Sequence, residues 1–171
     1  MIGITCVLTA AFLTAAGDYT ITVDSFGLGN TWRAGEITPL HITVSNTIPE
    51  PISAWISWDV PDGDGDVVAW GRPITLTPNQ DVSTWLYAPV QPWANGTTPW
   101  TLRLRTLVDG IPSEQLTTFR FSPQSVNAAP LSLRHGAIAV VGTRRVGLGG
   151  LAGAGKAVTV LEPTTTISGL Q

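Results

Sequence analysis

The chain has 171 residues, of which 43% are hydrophobic and only 12% charged, with 18 Gly and 13 Pro. That excludes a disordered chain, which would be poor in apolar residues and rich in charge, and the length suffices for one full domain and part of another. The net charge is -3, with two Arg and nine acids in residues 1–100 against seven basic residues and three acids in 101–171; an acidic total without a dense basic stripe argues against nucleic acid as a partner.

Met1 to Ala16, MIGITCVLTAAFLTAA, is apolar, uncharged and closed by small residues. It reads as the apolar stretch and cleavage site of an export signal, with residues 1–17 removed. It lacks a Lys or Arg ahead of the apolar run, and it is too short for a comfortable membrane span. The alternative is a buried first strand of a cytosolic domain. Cys6, the single cysteine, lies inside the signal, so no disulfide staples the mature chain. The seven Trp must then help hold the core.

Short apolar runs punctuated by Gly, Pro, Asn and Asp predict an all-β domain over residues 18–123. Tyr19 to Phe26 is the first strand, with Tyr19, Ile21 and Val23 on one face. Trp32 to Asn46 reads as a turn, then a half-buried strand in which Leu40, Ile42 and Val44 alternate with His41, Thr43 and Ser45. Ile52 to Val60 places Ile52, Ala54, Ile56, Trp58 and Val60 on one face, and Ser53, Trp55, Ser57 and Asp59 on the other. After the turn PDGDGD comes Val67 to Leu76, bent near Gly71 and Pro73. Val82 to Val90 turns Val82, Leu86, Ala88 and Val90 to one side and Trp85 and Tyr87 to the other. Trp100 to Val108 follows, with Trp100, Leu102 and Leu104 inward. Asp109-Gly110 marks a tight hairpin, and Leu116 to Phe121 closes the set with Phe119 and Phe121 as core residues. About seven short strands with regular turn signals, and a Trp at position 58 on the third, predict an immunoglobulin-like antiparallel sandwich without its cysteine pair.

Residues 124–135 read as a polar linker. GAIAVVG, Gly136 to Gly142, and AVTVLEP further on are nearly continuous apolar runs, the mark of strands buried on both faces. Residues 136–171 thus resemble the opening of an incomplete α/β unit, with a connection too Gly-rich for a confident helix. One strand–crossover–strand unit cannot cover its own faces, so the expectation is a fragment, or a segment that docks on another subunit.

Trp32-x-x-Gly35 followed by Pro39-Leu40-x-Ile42-x-Val44-x-Asn46, with AIAVVG, GLGGLAG and VTVLEP downstream, resembles the N-terminal Ig-like region of large bacterial envelope proteins. In that family the sandwich precedes an α/β domain similar to glutamine amidotransferases. The resemblance implies a location on the periplasmic or extracellular side of the envelope, and partners among other domains of the same protein or other envelope proteins. It carries over no catalytic residue.

Asp62, Asp64 and Asp66 place three carboxylates at alternate positions. Calcium takes six to eight oxygens, and the sixth and twelfth positions of an EF-hand loop would fall on Val67 and Pro73, which do not serve. Two readings stay open: a solvated Asp-Gly turn, and a turn site that holds calcium with added backbone oxygens. No other cofactor is implied. Gly150 to Lys156 matches phosphate-loop spacing, but Ala157 replaces the required hydroxyl and the run starts too far after its strand. His41 and His135 are isolated and make no zinc site. Asn95-Gly96-Thr97 is a glycosylation sequon or, more plainly, an Asn-Gly turn.

Trp55, Trp85 and Tyr87 point away from the predicted core. Such residues offer a flat patch on which sugar rings or a neighbouring domain would stack. The expected function is a non-catalytic, exported Ig-like spacer or protein-interaction module of an envelope protein. The alternatives are a carbohydrate-binding module using that aromatic patch, and the N-terminal part of an enzyme whose chemistry lies beyond Gln171.

Overall fold

The computed structural model describes residues 18–132 and two further strands, Gly136–Ala139 and Val158–Leu161. The proposed signal with Cys6, His135 and the Gly-rich loop before Lys156 lie outside the described residues.

The strands follow in order as β1 (Tyr19–Phe26), β2 (Thr31–Trp32), β3 (Ile37–Asn46), β4 (Ile52–Pro61), β5 (Val67–Leu76), β6 (Asp81–Pro89), β7 (Trp100–Val108), β8 (Ile111–Phe121), β9 (Ala129–Pro130), β10 (Gly136–Ala139) and β11 (Val158–Leu161). One antiparallel layer runs β1-β3-β6 and the other β5-β4-β7-β8. The β3–β4, β5–β6 and β6–β7 connections pass from one layer to the other, giving the Greek-key connectivity of an Ig-like sandwich. The predicted fold class is therefore the observed one.

Alternation explains the core. Leu40, Ile42 and Val44 of β3 are fully buried, as are Ala54, Ile56 and Trp58 of β4 and Leu102 and Leu104 of β7. The intervening side chains of β3 form polar pairs on the outer face: Thr43 Oγ1 donates to Asp24 Oδ2 at 2.8 Å, and Ser45 Oγ to Asp81 Oδ1 at 2.6 Å.

Strand β1 would lose this phase without a correction. Ile21 points inward, yet so does Phe26, five residues on. A bulge between Val23 and Ser25 supplies the extra residue, which inverts the alternation. Phe26 then meets a buried aromatic cluster, stacked on Trp100 at 5.1 Å and edge-on to Trp32, Trp58 and Phe121. Gly27 makes the following turn feasible. Its φ is +78°, and a Cβ there would lie 2.1 Å from the Thr31 carbonyl oxygen. Trp32, read from sequence as part of a turn, is thereby folded back into the core, only 2% exposed.

Two boundaries differ from expectation. Strand β8 begins at Ile111, directly after a turn in which Asp109 and Gly110 both have positive φ, the geometry of the tight hairpin predicted there. Residues 124–131, assigned to a linker, are instead attached to the sandwich. Gln124–Val126 form a short 3-10 turn, Ala128 is buried, and β9 pairs parallel with β2. Ala129 N–H donates to Asn30 O at 2.8 Å and Leu131 N–H to Trp32 O at 2.7 Å. Strands β10 and β11 pair in parallel, as a strand–crossover–strand unit requires.

Candidate binding cleft along the β5–β6 seam

A layer of four strands faces a layer of three, so one edge of the larger sheet overhangs. That edge is β5. Trp58 and Trp70 are cross-strand partners in the β4–β5 ladder, yet Trp58 is fully buried and Trp70 is 40% exposed. Val68, in the same phase, is also exposed, whereas Leu76 at the other end of β5 is fully buried. The overhang leaves an apolar strip of β5 beside the edge strand of the opposite layer, β6.

Two adjoining clefts, sharing Trp70, follow this seam. The larger, about 400 Å³, has Trp70 and Trp93 among its walls, with Val68, Pro89, Pro92 and Asp62. Gln91 closes its floor: its side-chain N–H donates to the Pro61 carbonyl, tying the loop after β6 to the end of β4. The ring of Trp93 lies against Gly63, where a Cβ would stand 3.8 Å from its Cη2. The smaller, about 350 Å³, is lined by Trp70, Arg72, Pro73, Trp85, Leu86 and Tyr87. Exposed aromatics, proline rings and a few polar groups are what binding surfaces present.

Of the three aromatics expected to form one platform, Trp85 and Tyr87 share the smaller cleft, and Tyr87 is exposed. Trp85 is not a free face. It is 8% exposed and stacks on His41, its ladder partner, with centroids 4.6 Å apart. Trp55 belongs to the other layer and is half-buried; a Cβ on Gly71 would fall 2.6 Å from its indole nitrogen. Trp55 lines neither cleft, and Trp70 and Trp93 supply the further indoles that do. Trp70 is hidden from sequence reasoning because it shares the phase of core residues. Trp93 is hidden because it sits in the loop after β6.

Asp62, Asp64 and Asp66 do converge, with carboxylate oxygens all within 4.8 Å of one another. The Asp64 N–H donates to Asp62 Oδ1 at 3.3 Å and the Asp62 N–H to the Asp66 carbonyl at 2.7 Å. The Asp62 carboxyl is held below its ordinary pKa, first by a hydrogen bond with the Asp64 side chain and then by backbone N–H groups of the turn. These are the bonds of an Asp-Gly turn. Counted at one oxygen each, the three side chains offer at most half of the six to eight oxygens that calcium takes. In the sequon, Asn95 Oδ1 accepts from Thr97 N–H and Oγ1 at 2.9 and 2.8 Å, an Asn-centred turn.

Among the described residues, no helix is long and apolar enough to cross a membrane. No protein family and no curated protein matches the chain. Among solved structures, it is similar to part of the Pseudomonas fluorescens alkylpurine DNA glycosylase AlkC, with 16% identity and a TM-score of 0.35 over 62% of this chain and 30% of that one. A Bacteroides uniformis beta-glucuronidase gives 17% and 0.37 over 61% of this chain and 13% of that one. The CARDB domain of a Pyrococcus furiosus protein, in complex with di-metal ions, gives 11% and 0.35 over 61% and 87%. The chain thus spans less than a third of either enzyme, and at this similarity no activity, ligand or metal passes to it from these proteins.

Proposed function

We propose that this chain is an extracytoplasmic Ig-like module of a cell-envelope protein, and that it makes contacts rather than performing chemistry. The observation that carries this reading is the run of exposed apolar side chains along the β5–β6 seam. Val68, Trp70, Tyr87 and Trp93 are between 40% and 61% exposed. Contiguous apolar surface of this kind marks interaction sites on soluble domains. The leader-like run Met1 to Ala16 supports export, and the resemblance to envelope-protein Ig-like regions supports the setting.

A photocrosslinking residue at position 70 tests the reading in the cells that make the protein. Adducts to protein should form there and be absent when the crosslinker replaces Glu114, on the far edge strand β8. Equal labelling at both positions, or none at 70, overturns it. A second reading, glycan binding, is favoured by the placement of Trp70 and Trp93 around a cleft that also holds Asp62 and Gln91. Sugar rings stack on indoles while carboxylate and amide groups take their hydroxyls. Glycan-array binding that disappears in Trp93→Ala supports that alternative.

A further inference from the structure

Among the described residues, strand β5 is the end strand of its sheet with no strand paired on its outer side, and its backbone polarity can be read from proline chemistry. In the β4–β5 ladder, Pro61 stands opposite Val67 and Pro73 opposite Trp55. Proline has no N–H to give, so both positions fit the pairs that exchange no backbone hydrogen bonds. The Asp62 N–H, by contrast, donates to the carbonyl of Asp66. Even-numbered residues of β5 therefore turn their backbone groups to β4. The odd-numbered ones, Val67, Ala69 and Gly71, turn theirs outward. Uncovered edges of this kind template the addition of another strand.

From this edge we infer that the module pairs with a second copy of itself, β5 against β5, around a two-fold axis at Ala69. The inference rests on the interaction-module reading above and names its partner. An antiparallel pair centred on Ala69 sets Val67 opposite Gly71 and forms about six backbone hydrogen bonds. The even residues then meet on the overhanging face: Val68 beside Trp70, and Asp66 beside Arg72, each twice by symmetry. Asp66 and Arg72 are both exposed and take part in none of the salt bridges found among the described residues. Asp66 also lies within 4.8 Å of two other carboxylates, so a guanidinium from a partner relieves like-charge repulsion. The charges select this register. Centring the axis on Val68 sets Asp66 against the Trp70 ring, and centring it on Trp70 sets Arg72 against Val68. Axes between residues misalign the outward backbone groups. Bulk at the edge is no obstacle, since Ala69 and Gly71 are small. The pairing joins two four-stranded layers into one continuous sheet.

The test is sedimentation and light scattering on the full chain over a dilution series from about 100 µM, where a micromolar dimer is saturated, down to about 0.1 µM, where it dissociates. The wild type should be a dimer. Asp66→Arg and Arg72→Asp should each raise its dissociation constant about ten-fold, because two pairs become repulsive. The double exchange Asp66→Arg/Arg72→Asp should restore it. In a Cys6→Ser background, Ala69→Cys should oxidise to a disulfide-linked dimer, and Glu114→Cys should not. A monomeric wild type overturns the inference, as do single variants that dimerise like the wild type or a double exchange that fails to recover. If self-pairing fails while position 70 still crosslinks to a different protein, the interaction-module reading survives alone; failure of both removes both.

Discussion

Trp85 lies against His41, its ladder neighbour on β3, with ring planes 28° apart and His41 Nδ1 3.4 Å from Asp24 Oδ2. The outer face of the three-stranded layer therefore carries a small packed cluster of its own. Trp85 is part of the structure first and of the cleft second.

Trp85→Ala should lower the unfolding free energy by about 3 kcal/mol, the usual cost of deleting a buried large aromatic. His41→Ala should cost about 1 kcal/mol, the worth of the ring contact. Denaturant melts of both variants check this. A Trp85→Ala variant as stable as the wild type would show that the indole is a free ligand platform after all.

Val44→Asp should unfold the domain. Val44 is fully buried between its ladder partners Ile21 and Val82, and an unpaired carboxylate there has no compensating group. Circular dichroism on the variant reads the outcome; wild-type-like melting contradicts the register of β3.

Asp59 is an outward-phase residue of β4 that is nevertheless only 7% exposed, because Arg103 of β7 closes over it with Nε 2.7 Å from Oδ2. Ser57 Oγ adds a hydrogen bond at 3.3 Å. Arg103→Met strands that carboxylate and should cost about 3 kcal/mol, less than a fully buried pair because the arginine is partly solvated. Adding Asp59→Asn to the same protein should recover part of the loss, and a double-mutant cycle measures the coupling.

Gly71→Ala should cost about 1–3 kcal/mol through overpacking. A Cβ there stands 2.5 Å from the Ile56 carbonyl oxygen and 2.9 Å from the Ser57 Cβ, with the Trp55 indole equally close. Gly96→Ala is the control: nothing lies within 4 Å of its Cβ position, so its thermal midpoint should stay at the wild-type value.

The order and identity of the strands were legible in the chain because each strand's alternation encodes which side chains share a face. Leu40, Ile42 and Val44 on β3, and Ala54, Ile56 and Trp58 on β4, are buried as that phase requires. The Asp109-Gly110 turn was legible because positive φ at two successive positions selects those residue types. Alternation does not say whether a face is covered, since that depends on strands from elsewhere in the chain. Trp70 has the phase of the core and is exposed because it stands at the clefts between β5 and the end of β6. Trp85 and Asp59 have the phase of the surface and are buried because His41 and Arg103 close over them. Residues 124–131 look like a polar linker, but backbone hydrogen bonds to Asn30 and Trp32 hold them on the sandwich. Residue types and their period-2 spacing suffice for a cysteine-poor all-β sandwich and for the phase of each strand. Where the aromatic surface opens depends on how the two layers meet, with three strands set against four.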